Sequence, residues 1–207
     1  MWGKPLLLEL FSGTRSVGKI AENLGFDVVS LDIKNADIEC DIMDWDYTIY
    51  SPKYFDFIWA SPPCTEYSKA KTTGTRNLIL ANQIVEKTLE IIEYLDPVHF
   101  VIENPQTGLL KNQYFMHGIP YKDIDYCKYG MPYRKRTRLW NNVFNWIPKE
   151  LSKKDCGNIT DNKHNATAQR GPSKHLINNM FNQSDLYVVP EQLIRDILVS
   201  VTSATTG

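Results

Sequence analysis

No stretch of this 207-residue chain approaches the ~20 consecutive apolar residues that a membrane span needs; the apolar runs are strand-sized. The opening MWGKPLLLELFSG has a short apolar run but no small-residue cleavage site, so no signal peptide is expected. The four cysteines, Cys40, Cys64, Cys127 and Cys156, form no paired framework. In a domain large enough for a real core, scattered cysteines predict reduced thiols in an intracellular compartment: the cytoplasm, or the nucleus of a host cell for a viral chain. Charge of one sign is not in excess either. The formal net charge is −1, with 43% hydrophobic and 23% charged residues, as in ordinary globular proteins. There is no internal repeat, and the absence of G-x-G-x-x-G argues against a dinucleotide ligand.

The even charge balance hides a segregation. Residues 1–60 hold five Lys/Arg against ten Asp/Glu, whereas residues 109–154 hold ten against three. A basic middle segment can focus positive potential on a polyanion, or it can simply be solvated.

Pro5–Leu10 reads as a buried strand followed by the turn FSGTRSVG and a short helix from Ser16 that stops at Gly25. FDVVSLDI (26–33) is a second strand, ECDI (39–42) the end of a third, and FDFIWAS (55–61) a fourth. Residues 78–95 carry apolar groups at helical spacing and stop at Asp96-Pro97, and VHFVIENP (98–105) is the next strand. Continuously apolar strands alternating with helices predict a mainly parallel α/β sheet covered on both faces. Ligands bind outside the carboxyl ends of such strands. Those ends carry Phe11-Ser12-Gly13, Asp32, Asp41, Ser61–Cys64 and Glu103-Asn104, so the chemically useful groups converge on one edge. Further strands are expected near 124–129 and 137–144. Residues 145–185 are polar and without firm periodicity, and VVPEQLIRDILVSV forms a Pro-initiated helix that can return to the first strand and helix.

The order of LLELFSG (7–13), Asp32, CDI (40–42), SPPCTEYS (61–68), VIENP (101–105) and YRKRTRLW (133–140) resembles the cytosine-C5 DNA methyltransferase family. The resemblance covers roughly residues 5–140. It implies a Rossmann-like fold and S-adenosylmethionine as cofactor, with a catalytic domain over 1–144, a short insert over 145–185 in place of a target-recognition domain, and a C-terminal helix over 186–207. In the family's terms Cys64 is the nucleophile that adds to C6 of cytosine, and Glu103 is the proton donor at N3, with Asn104 holding its loop. Arg136 and Arg138 orient the base and the acid, while Arg134 and Lys135 add phosphate contacts. Phe11, Ser12, Gly13, Asp32, Ile33, Asp41, Ile42 and Pro63 are implied to hold the cofactor. The thiol suits the attack because it is nucleophilic and partly ionised near neutrality, and the two prolines before it restrict the loop that aims it.

The chain departs from the family pattern in three places: Thr14-Arg15-Ser16 replaces a more glycine-rich continuation, Pro105 stands where valine is usual, and Arg134 where glutamine is usual. The expected partner is DNA, with RNA or another pyrimidine as the alternative acceptor and a non-catalytic nucleic-acid binder as the rival of a different class. The brevity of 145–185 predicts short or relaxed sequence specificity, or dependence on a partner. Cys156, His164 and His175 match no standard zinc spacing and lack a fourth ligand, so no metal is expected.

Overall fold

In a computed structural model, residues 3–69, 71, 74–168 and 181–202 are described. The strands β1 (Leu6–Leu10), β2 (Asp27–Asp32), β3 (Ile38–Glu39), β4 (Phe57–Ala60) and β5 (His99–Pro105) pair in parallel. Further along lie β6 (Tyr121–Asp125), β7 (Tyr133–Arg134) and β8 (Arg136–Asn141). β8 inserts antiparallel between β5 and β6, giving one seven-stranded sheet in the order β3-β2-β1-β4-β5-β8-β6. The chain winds outward from β1 to β3, then crosses back to β4 beside β1. That reversal is the switch point where an open α/β sheet leaves a crevice.

Alternation along each strand sorts the core into two layers. Leu7, Phe57, Trp59, Val101 and Leu139 pack with α1 (Ser16–Asn23) and α4 (Glu191–Thr202), through Val17, Ala21, Leu193, Ile194, Ile197 and Leu198. Leu8, Leu10, Ile58, Ala60, Ile102 and Trp140 pack with α2 (Leu78–Leu95) through Ala81, Val85, Ile91, Ile92 and Leu95. Asn77 caps α2, its side chain accepting from the Leu80 amide at 3.1 Å, and the helix ends at Asp96 in the left-handed region. Among the described residues no helix is long and apolar enough to cross a membrane.

Three expected boundaries move. Only Ile38–Glu39 of the third strand pairs with β2, and residues 40–42 leave the sheet. β8 ends at Asn141. Residues 126–129, expected in a strand, form a 3₁₀ turn closed by Gly130 at φ 92°. Tyr126 and Tyr129 are both buried, and a spacing of three puts both on one side of a 3₁₀ turn but on opposite faces of a strand. The following segment consists of small pieces: β9 (Ile159–Thr160) and β10 (Lys163–His164) form a hairpin, and β11 (Ala166–Thr167) pairs with β7. A capped α3 (Gln183–Tyr187) then leads to α4.

Candidate active site

The carboxyl ends of the parallel strands open into a cavity of about 390 Å³. β1 exits through Phe11, Ser12 and Gly13, with Phe11 at φ 60° and Gly13 at φ 48°. The Ser12 amide donates to the Leu31 carbonyl at 3.1 Å, which pins this tight turn to β2. Asp32 closes the same corner: Oδ2 accepts from the Gly13 amide at 2.9 Å and Oδ1 from the Ile33 amide at 2.7 Å. Ile33 stands at the rim and is 65% exposed, an apolar surface awaiting a cover. Asp41 and buried Ile42 line the wall after β3, and Pro63 lines the wall after β4.

Cys64 and Glu103 line this same cavity. Asn104, at the end of β5, donates from Nδ2 to the Pro62 carbonyl at 2.9 Å and so ties the Pro-Pro-Cys loop to the neighbouring strand. Cys64 is half-buried. Burial pushes its thiol up, the Glu103 carboxylate pushes the same way, and the Lys135 ammonium pulls it down. Glu103 is buried, accepts from the Tyr126 hydroxyl at 2.9 Å and lies 3.6 Å from Lys135 Nζ. Lys135 in turn sits 4.8 Å from the Tyr126 ring centroid and donates to the Leu186 carbonyl at 3.1 Å. Two buried polar atoms of the cavity wall, Ser12 Oγ and Asn104 Oδ1, have no protein partner, which suits a polar ligand.

Arg136 and Arg138 are placed elsewhere. Arg136 makes a two-pronged pair with Asp125 at 3.0 and 2.8 Å, and Arg138 makes one with Asp123 at 2.7 and 2.9 Å. The register explains this. Glu103 lies opposite Leu139 and Asn104 opposite Arg138, so the two arginines share the α2 side of the sheet while Glu103 faces α1 and α4. Lys135 is therefore the cation beside the acid. Arg134 also binds Asp125, at 3.1 Å.

Sequence reasoning missed Glu9 and Tyr126 as members of this site. Tyr126 gave no signal, because its stretch reads as strand. Glu9 did: it is the one carboxylate in LLLEL. Alternation drives it under α1, where it accepts from the Val17 and Gly18 amides at 3.2 and 2.9 Å, and burial raises its carboxyl to about 7.

No family model matches the chain. Over 172 residues it is 37% identical to the "Probable DNA (cytosine-5)-methyltransferase" of Frog virus 3 (isolate Goorha), covering 75% of this chain and 79% of that protein. A solved structure of a candidate DNA modification methyltransferase encoded within a prophage (E. coli) superposes with a TM-score of 0.53 at 17% identity. It covers 72% of this chain and 52% of that one, a likeness of fold. Spodoptera frugiperda DNMT2 gives a TM-score of 0.45 at 17% identity, over 72% of this chain and 54% of that one. The chain thus spans about half the length of these two solved proteins. The viral relative aligns along most of both chains, and on that likeness this chain belongs to the DNA (cytosine-5)-methyltransferase family.

Proposed function

We propose that this chain transfers a methyl group from S-adenosylmethionine to C5 of cytosine in DNA, with Cys64 as the nucleophile. The observation that carries the reading is the sharing of one cavity by Cys64, Glu103 and the loops after β1, β2 and β3. The wall on the β1–β3 side fits the cofactor: Phe11, Ile33 and Ile42 offer apolar surface to a purine, and Asp32 and Asp41 offer carboxylates to ribose hydroxyls and an exocyclic amine. S-adenosylmethionine, when bound, supplies an electrophilic methyl group on a sulfonium centre. Everything else falls to the chain. Cys64, its proton lost to solvent, bonds to C6 of the cytosine, and Glu103, after taking up a proton from solvent, passes it to N3 as the ring takes up the electron pair. After methylation, loss of the C5 proton to solvent and return of the N3 proton to Glu103 let the S–C6 bond break, which restores the Cys64 thiolate. Tyr126 and Lys135 fix the Glu103 carboxyl group, and Asn104 fixes the loop that aims the sulfur. Arg136 and Arg138, bound to Asp125 and Asp123, tie β8 to β6 rather than touching the base. A base in a duplex reaches such a cavity only after extrusion from the stack.

Incubation with labelled S-adenosylmethionine and DNA, followed by nucleoside analysis, is expected to place label in 5-methylcytosine. DNA containing 5-fluorocytosine is expected to form a covalent adduct with the native protein and none with Cys64→Ser. Adducts with RNA alone would transfer the same chemistry to another acceptor, and cofactor binding without transfer would sink the reading.

A further inference from the structure

Away from the cavity, the fold collects three soft or borderline metal donors that lie far apart in sequence. Cys127 comes from the 3₁₀ turn after β6, Cys156 from the loop that follows β8, and His164 from β10. Their ligand atoms all lie within 4.8 Å of one another. Tetrahedral zinc, with Zn–S of about 2.3 Å and Zn–N of about 2.0 Å, needs neighbouring donors roughly 3.5–3.8 Å apart, so a contraction of about an ångström closes the set. His164 Nε2 is buried and has no hydrogen-bond partner, a cost that a metal bond removes. Linear spacing conceals the group, because Cys127 precedes β7 and β8 while the other two follow them. His175, the other histidine weighed from sequence, lies outside the described residues.

We propose that Cys127, Cys156 and His164 bind a zinc ion that fastens the 145–168 segment to the catalytic core. Two thiols give up their protons to solvent, the neutral imidazole supplies a lone pair from Nε2, and one coordination position is left for solvent. The polar segment needs such a fastener. The segment reaches the hydrophobic core at its two ends, through Trp146 and through Ala166 of β11, which pairs with β7. Between them β9 and β10 pair over two residues each, and the ties to the core are polar, among them the Lys149 amide to the Tyr129 hydroxyl at 2.8 Å, Asn158 to the Met131 carbonyl at 3.1 Å, and Lys128 with Asp155 at 3.0 Å. Residues 147–165 bury no apolar side chain of their own, and a structural metal supplies folding energy to such a stretch. The same segment reaches the buried Asp125, whose carboxylate accepts from the Ser152 amide at 3.0 Å as well as from Arg134 and Arg136. The ion would therefore brace the junction of β7 and β8 that carries Lys135 to Glu103.

The test uses the full chain, stripped with a chelator and reloaded with zinc or cobalt. Elemental analysis is expected to find about one zinc per chain, and the cobalt form is expected to show thiolate-to-metal charge transfer with the intense visible bands of a tetrahedral site. Cys156→Ser and His164→Asn, both at half-buried positions, should each weaken binding roughly tenfold or more, whereas Cys64→Ser should bind as the native chain does. Chelation should expose the 145–168 segment to proteolysis, with a cleavage pattern matching that of Cys156→Ser. Cobalt spectra without thiolate bands, binding unchanged in both variants, or an intact mass showing a Cys127–Cys156 disulfide in place of metal would each overturn the proposal.

Discussion

At Cys64 the neighbouring charges oppose one another: burial and the Glu103 carboxylate hold the proton on sulfur, while the Lys135 ammonium draws it off. Removing the Glu103 charge therefore separates two quantities that a merely damaged site would lose together. Glu103→Gln lowers the barrier to ionising the thiol, so alkylation of Cys64 by iodoacetamide at fixed pH should become faster. Methyl transfer should fall by ~10²–10⁴, the range lost with a general acid. Alkylation and transfer falling in parallel would deny Glu103 both roles. Cys64 and Glu103 were legible because each sits in a short local pattern, Pro-Pro-Cys or Glu-Asn, at a strand end. The cation beside them was not. Choosing Lys135 over Arg136 requires knowing which face of β8 looks toward Glu103, and that depends on a pairing register that no local pattern encodes.

At the scale of elements, the junction of β1 with α1 is the most tightly determined. Glu9 occupies the place where the first free amides of α1 point, so the helix start and the strand share one buried carboxylate. Gly18 makes this approach feasible: a Cβ there would stand 2.6 Å from Glu9 Oε2 and 3.2 Å from Val28 Cγ1. Gly18→Ala is expected to destabilise the chain by about 1–3 kcal/mol in urea unfolding. Much of that cost should vanish in a Glu9→Ala background, where the obstructing oxygen is gone; an undiminished cost would place the clash elsewhere. Most elements could be read from sequence because apolar runs bounded by glycine, Asp-Pro or polar clusters state both type and limit, as with α2 and β5. The β9–β10 hairpin escaped notice. Its signal is the pair Asp161 and Asn162, at φ 49° and 61°, a left-handed two-residue turn favoured by such side chains, but strands of two residues have no periodicity to detect.

Across the whole molecule, charge is spent largely on the protein itself. The basic stretch 109–154 suggested a surface for a polyanion, yet Arg134, Arg136 and Arg138 are committed to Asp125 and Asp123. Lys122 and Lys149 lie against Trp146 and Tyr129. Composition counts charges but not their partners, which is why this could not be read in advance. On the acidic side, Glu9 links global stability to pH near neutrality. Glu9 is 3% exposed, and its carboxyl is raised from 4.5 to about 7, chiefly by burial, against the opposing pull of two backbone amides. A folded-state value above the unfolded one means that the native chain binds the extra proton. The associated stability is complete below about pH 4.5, erodes as pH climbs, and is lost above about pH 7. At about 1.4 kcal/mol per unit, the shift corresponds to roughly 3 kcal/mol. Unfolding free energies measured by urea titration from pH 5 to pH 8 should fall along this course in the native chain. In Glu9→Gln, which cannot ionise, the slope should be flatter by about that amount. A native profile that rises over this interval, or one that Glu9→Gln leaves unchanged, would mean that the carboxylate stays ionised beneath α1 and is held by the Val17 and Gly18 amides against the cost of burial.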